Sequence, residues 1–136
     1  LFDALQLKWI LEELVDNARA AMADGGRLEL KVTNASLGDA DCRRFLSVFP
    51  GQYVVLAAQD TGCGLEPDDL RRIFEPYFTT KDFGSGLGLT LVYKIVKEHM
   101  GDIEIHSKVG EGTTIALSFP VPQKEKRLIG YSEEVQ

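Results

Sequence analysis

QYVVLAAQDTGCGL, residues 52–65, sets an apolar segment directly against a glycine-punctuated turn. Residues 52–59 are mostly apolar, which predicts a strand covered on both faces. Asp60 closes that strand and opens Thr61-Gly62-Cys63-Gly64. Gly62 and Gly64 let the backbone pass close to a flat partner without Cβ clashes. Alone, the segment also reads as an Asp-Thr-Gly turn held by an Asx hydrogen bond.

Working outward, residues 102–108 and 112–119 read as two strands joined by Val109-Gly110-Glu111-Gly112 as a hairpin. Residues 27–33 (RLELKVT) alternate polar and apolar, the mark of a half-buried strand. Residues 34–51 read as a polar connection with a short helical piece near 39–47. Residues 4–23 have helical period, with Leu7, Leu11, Leu14, Val15, Ala18 and Met22 as the apolar stripe and Asp24-Gly25-Gly26 as the stop. Pro67 suits the first turn of a short helix, 67–73. Residues 75–86 read as a long loop. Residues 87–100 form a second strong helix, with Leu91, Val92, Ile95 and Val96 in the core and Gly101 as the stop. The economical packing is an α/β two-layer sandwich, with helices on one face of a mixed β-sheet. The expected organisation is one domain over 1–121, followed by a tail or linker over 122–136.

Composition narrows the function. The formal charge of −6 argues against a nucleic-acid or anionic-membrane surface. A polyphosphate ligand would need a local positive site against that field. No apolar run approaches the ~20 residues of a membrane span, and no secretory pattern opens the chain. Beginning at Leu1-Phe2, the sequence reads as a piece of something longer. Cys42 and Cys63 lack metal spacing and read as reduced thiols of a cytoplasmic protein.

Four segments carry chemistry in one order: ELVDNARAA at 13–21, DTGCGL at 60–65, FEPYFTTK at 74–81 and GSGLGLTLVYKIV at 84–96. Glu13 and Asn17 lie one turn apart on the first helix and share a face. Gly84, Ser85, Gly86, Leu87 and Gly88 precede a helix directly, and backbone N–H groups with a helix N-terminus suit phosphates. The segment is neither a Walker loop nor a dinucleotide fingerprint, because no Gly-Lys-Ser/Thr follows and no strand precedes it. Lys81 would bring a mobile ammonium to the phosphates. Phe74, Tyr77 and Phe78 are expected to anchor the loop. His99 and His106, the only histidines, read as structural, with His99 favouring the C-terminal helix dipole.

This succession resembles the GHKL, or Bergerat-fold, ATP-binding superfamily over about residues 3–119. FEPYFTTK, GSGLGLTLVYKIVKEH, NARAAMADGGRLEL and GEGTTIALSFP look especially like the catalytic ATP-binding domain of two-component sensor histidine kinases. The connection at 34–51 is similar to an insert of the nitrogen-regulator-like branch. The resemblance implies ATP and Mg²⁺ as ligands and a mobile ATP lid. It implies Asn17 on the metal, Asp60 on adenine with Gly62 and Gly64 beside it, and Thr113 or Thr114 as a water-linked helper. It places Gly84, Ser85, Gly86, Leu87 and Gly88 at the phosphates and Lys81 on the lid. The implied reaction passes the γ-phosphate to a histidine on a separate helical dimerisation domain, with a response regulator receiver domain downstream and a homodimeric full-length protein whose membrane anchor, where there is one, lies in regions outside this sequence. One residue departs from the pattern: most histidine kinases carry Asn at the position of Glu13. Gyrase B, MutL and the ninety-kilodalton heat-shock chaperones carry Glu there as the base that activates water. Glu13 therefore also admits a GHKL-type ATPase switch.

Overall fold

The computed structural model describes residues 3–37, 51–74 and 88–121. Helix α1 spans Ala4–Ala21 and is capped by Asp3, whose side chain accepts the Leu5 N–H. Strand β1 spans Leu28–Leu37, β2 Gly51–Asp60, and a short α2 Pro67–Arg72. Helix α3 spans Gly88–Glu98, β3 Asp102–Lys108 and β4 Gly112–Pro120. The strands form one four-stranded sheet in the order β1-β2-β4-β3.

Every strand pairing among the described residues is antiparallel, where a mixed sheet was expected. The reason is the position of β4. Strands β2 and β3 run in the same direction, as the chain returning through α3 demands, but β4 lies between them and pairs with both. No parallel neighbours result.

The helices cover one face. Ile10 and Leu14 of α1 and Val92, Ile95 and Val96 of α3 pack on Leu56, Ala58, Ile115 and Leu117 of the two central strands. The α1 stripe is rotated from the expected one. Ile10, Leu14 and Ala18 are buried, whereas Leu7 is 39% exposed. In α3, Leu91 is 55% exposed rather than core. It stands ~100° from Val92 around the helix, at the rim of the buried arc.

Strand β1 runs further than its alternation predicts. Asn34, Ala35 and Ser36 continue the ladder opposite Val54, Tyr53 and Gln52, and the Gln52 side-chain amide donates to the Ser36 hydroxyl. As an edge strand β1 tolerates those polar residues. The expected helical piece at 39–47, the loop at 75–86 with its lid, and the tail at 122–136 lie outside the described residues. Among the described residues no helix is long and apolar enough to cross a membrane.

Candidate functional site

The segment after β2 is held from four directions. Asp60 is 8% exposed, and its Oδ1 accepts from Gly62 N at 2.8 Å and Thr113 N at 3.2 Å. The expected Asx turn is therefore present, and the same carboxylate also reaches across to β4. Cys63 N donates to Ala21 O at 3.0 Å, which hangs the loop on the end of α1. Thr61 N donates to Arg27 O, and Arg27 N donates back to Thr61 Oγ1, which ties it to the approach to β1. Gly110 N donates to Cys63 O, and Leu65 N to Ser107 Oγ, which ties it to the β3–β4 hairpin.

Glycines are required at these joints. At Gly62 a Cβ would meet the Ala21 carbonyl oxygen at 2.7 Å. At Gly64, with φ +76°, it would overlap the Lys108 carbonyl oxygen. The outcome is a preorganised carboxylate. Its Oδ1 is fixed by two N–H donors, while Oδ2 accepts no hydrogen bond from the described residues.

Helix α1 supplies the second part of the site. Glu13, Asn17 and Ala21 recur at i, i+4, i+8 and so line one side of the helix. At one end, the Glu13 carboxylate rests against Gly88, where any Cβ would overlap it. At the other end, Ala21 abuts Gly62. Asn17 is half-buried midway along this line, which covers ~12 Å of helix axis. One face of α1 thus joins the first residue of α3 to the Asp60 loop.

Thr113 and Thr114 part company here. Thr113 sits opposite Asp60 in the β2–β4 ladder, is 9% exposed, and shares a hydrogen bond of 2.7 Å with Ser107. Thr114 pairs with Gln59 and His106, so its side chain lies on the opposite face of the sheet. Parity along β4 separates the two threonines, and only Thr113 is beside Asp60. Ser107 was not singled out from sequence, because a serine in an alternating strand carries no signal until the register is known.

Phe74 behaves as the expected anchor. Its ring packs on Tyr93 with centroids 5.2 Å apart, and its carbonyl accepts from Thr90 Oγ1 at 2.8 Å. His99 donates from Nδ1 to Ile95 O at 2.8 Å, and His106 pairs with Glu104 on the outer face. Lys81, Gly84, Ser85, Gly86, Leu87, Tyr77, Phe78 and Cys42 lie outside the described residues. Cys63 is an exposed thiol.

The donors near Asn17 are hard oxygens: its own amide and the Glu13 carboxylate. Among the described residues no group of three or more His, Cys, Asp or Glu could hold a metal ion unaided. That donor set fits magnesium, which takes one or two protein oxygens and completes its shell with phosphates and water.

Comparison with known proteins assigns the fold to a family. Residues 2–123 match the family model for histidine kinase-, DNA gyrase B- and HSP90-like ATPases, and the chain belongs to that family. Its curated relatives include the sensor kinase CckA of Brucella abortus, 41% identical over 92% of this chain, and sporulation kinase E of Bacillus subtilis, 34% identical over 87%. The chain spans only 13% and 14% of those two proteins. Among solved structures, the mycobacterial sensor histidine kinase MprB aligns with a TM-score of 0.68 at 25% identity, over 88% of this chain and 72% of that one. Full-length ShkA, solved in complex with AMPPNP, aligns at 0.64 and 26% identity, over 85% of this chain and 21% of that one. The chain is an ATP-binding catalytic domain of the sensor-histidine-kinase type.

Proposed function

We propose that this domain binds ATP with adenine at Asp60 and passes the γ-phosphate to a histidine on a separate helical dimerisation domain of the same protein. The observation that carries the base placement is the Asp60 carboxylate, buried and fixed at Oδ1 by two backbone N–H groups. A carboxylate held this way presents Oδ2 as a fixed acceptor, and the adenine 6-amino group is a matching donor. Gly62 and Gly64 bring the backbone close enough for a flat ring to pack.

From Asp60 the nucleotide runs along the Glu13–Asn17–Ala21 face of α1, towards the N-terminus of α3. Asn17, with Glu13 one turn away, would hold a magnesium ion through oxygen, and that ion would neutralise charge on the phosphates. Gly84, Ser85, Gly86, Leu87 and Gly88 would offer backbone N–H groups to the phosphates, and Lys81 would add positive charge. A histidine ring nitrogen attacks the γ-phosphorus in line, the N–P bond forms, the bridging P–O bond breaks, and ADP leaves. The domain contributes positioning and charge neutralisation. A response regulator receiver domain is the expected next acceptor, and the full-length protein is expected to be a homodimer with this domain in the cytoplasm.

Asp60→Asn tests the placement. Loss of a charge-assisted hydrogen bond should weaken ATP binding by about 10- to 100-fold in equilibrium titration. Unchanged affinity would remove Asp60 from the base site.

Glu13 favours a second reading, an ATPase switch. Its carboxylate lies one turn from Asn17 and against Gly88, at the phosphate end of the face. There it could act as general base toward water. Phosphate release by the domain at saturating Mg·ATP distinguishes the two. Steady turnover that collapses in Glu13→Gln supports the switch. Negligible release despite saturable binding supports a kinase module that awaits its histidine.

A further inference from the structure

We propose that Thr90 is a positioning residue for the phosphate end of the site: through the Phe74 carbonyl it braces the first turn of α3 and so holds Gly88 against Glu13. This rests on the placement of the phosphates at the Glu13 end of the α1 face.

A threonine hydroxyl inside a helix ordinarily bonds back to a carbonyl about one turn earlier in the same helix. Thr90 has one hydroxyl proton, and it goes elsewhere. Its Oγ1 donates at 2.8 Å to the carbonyl oxygen of Phe74, 16 residues away and just beyond α2. The direction is fixed, because a carbonyl only accepts. The Phe74 ring makes a second attachment, with its centroid 5.2 Å from that of Tyr93. Thr90 and Tyr93 stand at i and i+3 and so are neighbours on one side of α3. Lys97, one turn further on, has its Nζ 5.6 Å from the Tyr93 ring centre and pairs with Asp102 at 2.9 Å. Phe74 is therefore joined by backbone and by ring to a ridge that is itself tied to the start of β3.

The other side of the same turn meets α1. At Gly88 an added Cβ would overlap the Glu13 carboxylate. Two residues along a helix are ~200° about its axis, so Gly88 and Thr90 point to nearly opposite sides. The first turn of α3 is held between two supports, Glu13 on one side and Phe74 on the other. Without the Thr90 donor the second support loosens, and the turn can draw away from α1. The gap between that turn and the Glu13–Asn17 face is the space left for the phosphates and their magnesium ion. Asp60 lies at the far end of the α1 face, where Ala21 abuts Gly62. Loosening should therefore be felt by the phosphates and not by the base.

The test compares ligands that differ only in phosphate. Dissociation constants are measured by calorimetric titration for adenosine, Mg·ADP and Mg·ATP. The proteins are the wild-type chain, Thr90→Val, Thr90→Ala and Thr90→Ser. Thr90→Val keeps the branched shape and removes the donor. It should weaken Mg·ADP and Mg·ATP by about three- to tenfold, the range of one neutral hydrogen bond, and leave adenosine within about twofold. Thr90→Ala should repeat that loss, and as a strong helix former it keeps the test open if Thr90→Val does not fold. Thr90→Ser retains the donor and should restore wild-type affinities.

A purely structural Thr90 would lower the unfolding midpoint and leave the ratio of Mg·ATP to adenosine affinity at its wild-type value. That result would overturn the proposal, as would a ratio that falls equally in Thr90→Ser. A wild-type chain that binds adenosine as tightly as Mg·ATP would instead overturn the phosphate placement itself.

Discussion

The glycines of this site fall into two physical kinds, and alanine substitution should separate them. At Gly88 the added Cβ overlaps the Glu13 carboxylate, the far end of a flexible side chain. At Gly64 it overlaps the Lys108 carbonyl oxygen, and the backbone there has φ +76°. Gly88→Ala gains up to about 1 kcal/mol of helix propensity. Displacing Glu13 to another rotamer costs about 0.5–1.5 kcal/mol. The terms nearly cancel, so the midpoint should stay within ~4 °C of wild type. Gly64→Ala gains no propensity. It places an L-residue in the left-handed region, at about 1–2 kcal/mol, and forces the hairpin to move, at about 1–3 kcal/mol. A loss of about 2–5 kcal/mol follows, or ~10–20 °C for a domain of this size.

Urea denaturation with a check on constant m measures both effects. Repeating Gly88→Ala in a Glu13→Ala background isolates the contact. With the carboxylate gone the propensity gain is unopposed, and Gly88→Ala should stabilise the double variant, by at most about 1 kcal/mol because Gly88 opens the helix, relative to Glu13→Ala alone. An equal effect of Gly88→Ala in both backgrounds would refute the contact. A large destabilisation at Gly88 would refute the distinction between the two kinds of glycine.

The threonine pair offers a test of register. Thr113→Val should weaken ATP binding by about three- to tenfold, whereas Thr114→Val, on the opposite face, should leave the dissociation constant unchanged. Equal effects would contradict the ladder between β2 and β4. The exposed Cys63 thiol lies between two site glycines, so saturating ADP should slow its alkylation, read by mass spectrometry, while Cys42 reacts at the same rate with and without nucleotide. Equal Cys63 rates in both conditions would argue against adenine in this loop.

What the sequence made legible was periodicity and punctuation. The helical period over 4–23, the alternation in RLELKVT and the glycine stops located most element boundaries to within a few residues, because local terms dominate there. What escaped it was set by partners distant in sequence. Leu7, Trp9, Ile10 and Leu11 offer more than one apolar face, and only packing against the sheet and α3 selects Ile10 over Leu7. Asn34 and Ser36 are polar enough for a loop, yet pairing with Val54 and Gln52 keeps them in a strand.

The same limit governs the site. Asp60 and its glycines can be read locally because they occupy one turn. Whether Thr113 or Thr114 serves them depends on a single step of parity in β4, and a one-residue slip would exchange them. Ser107 depends on that register twice: it stands opposite Thr113 in the β3–β4 ladder and meets Leu65 across the loop. Its hydroxyl acquires a role only once three separate segments have converged. The residue that ties Leu65 to Thr113 is therefore the one with the least distinctive sequence context.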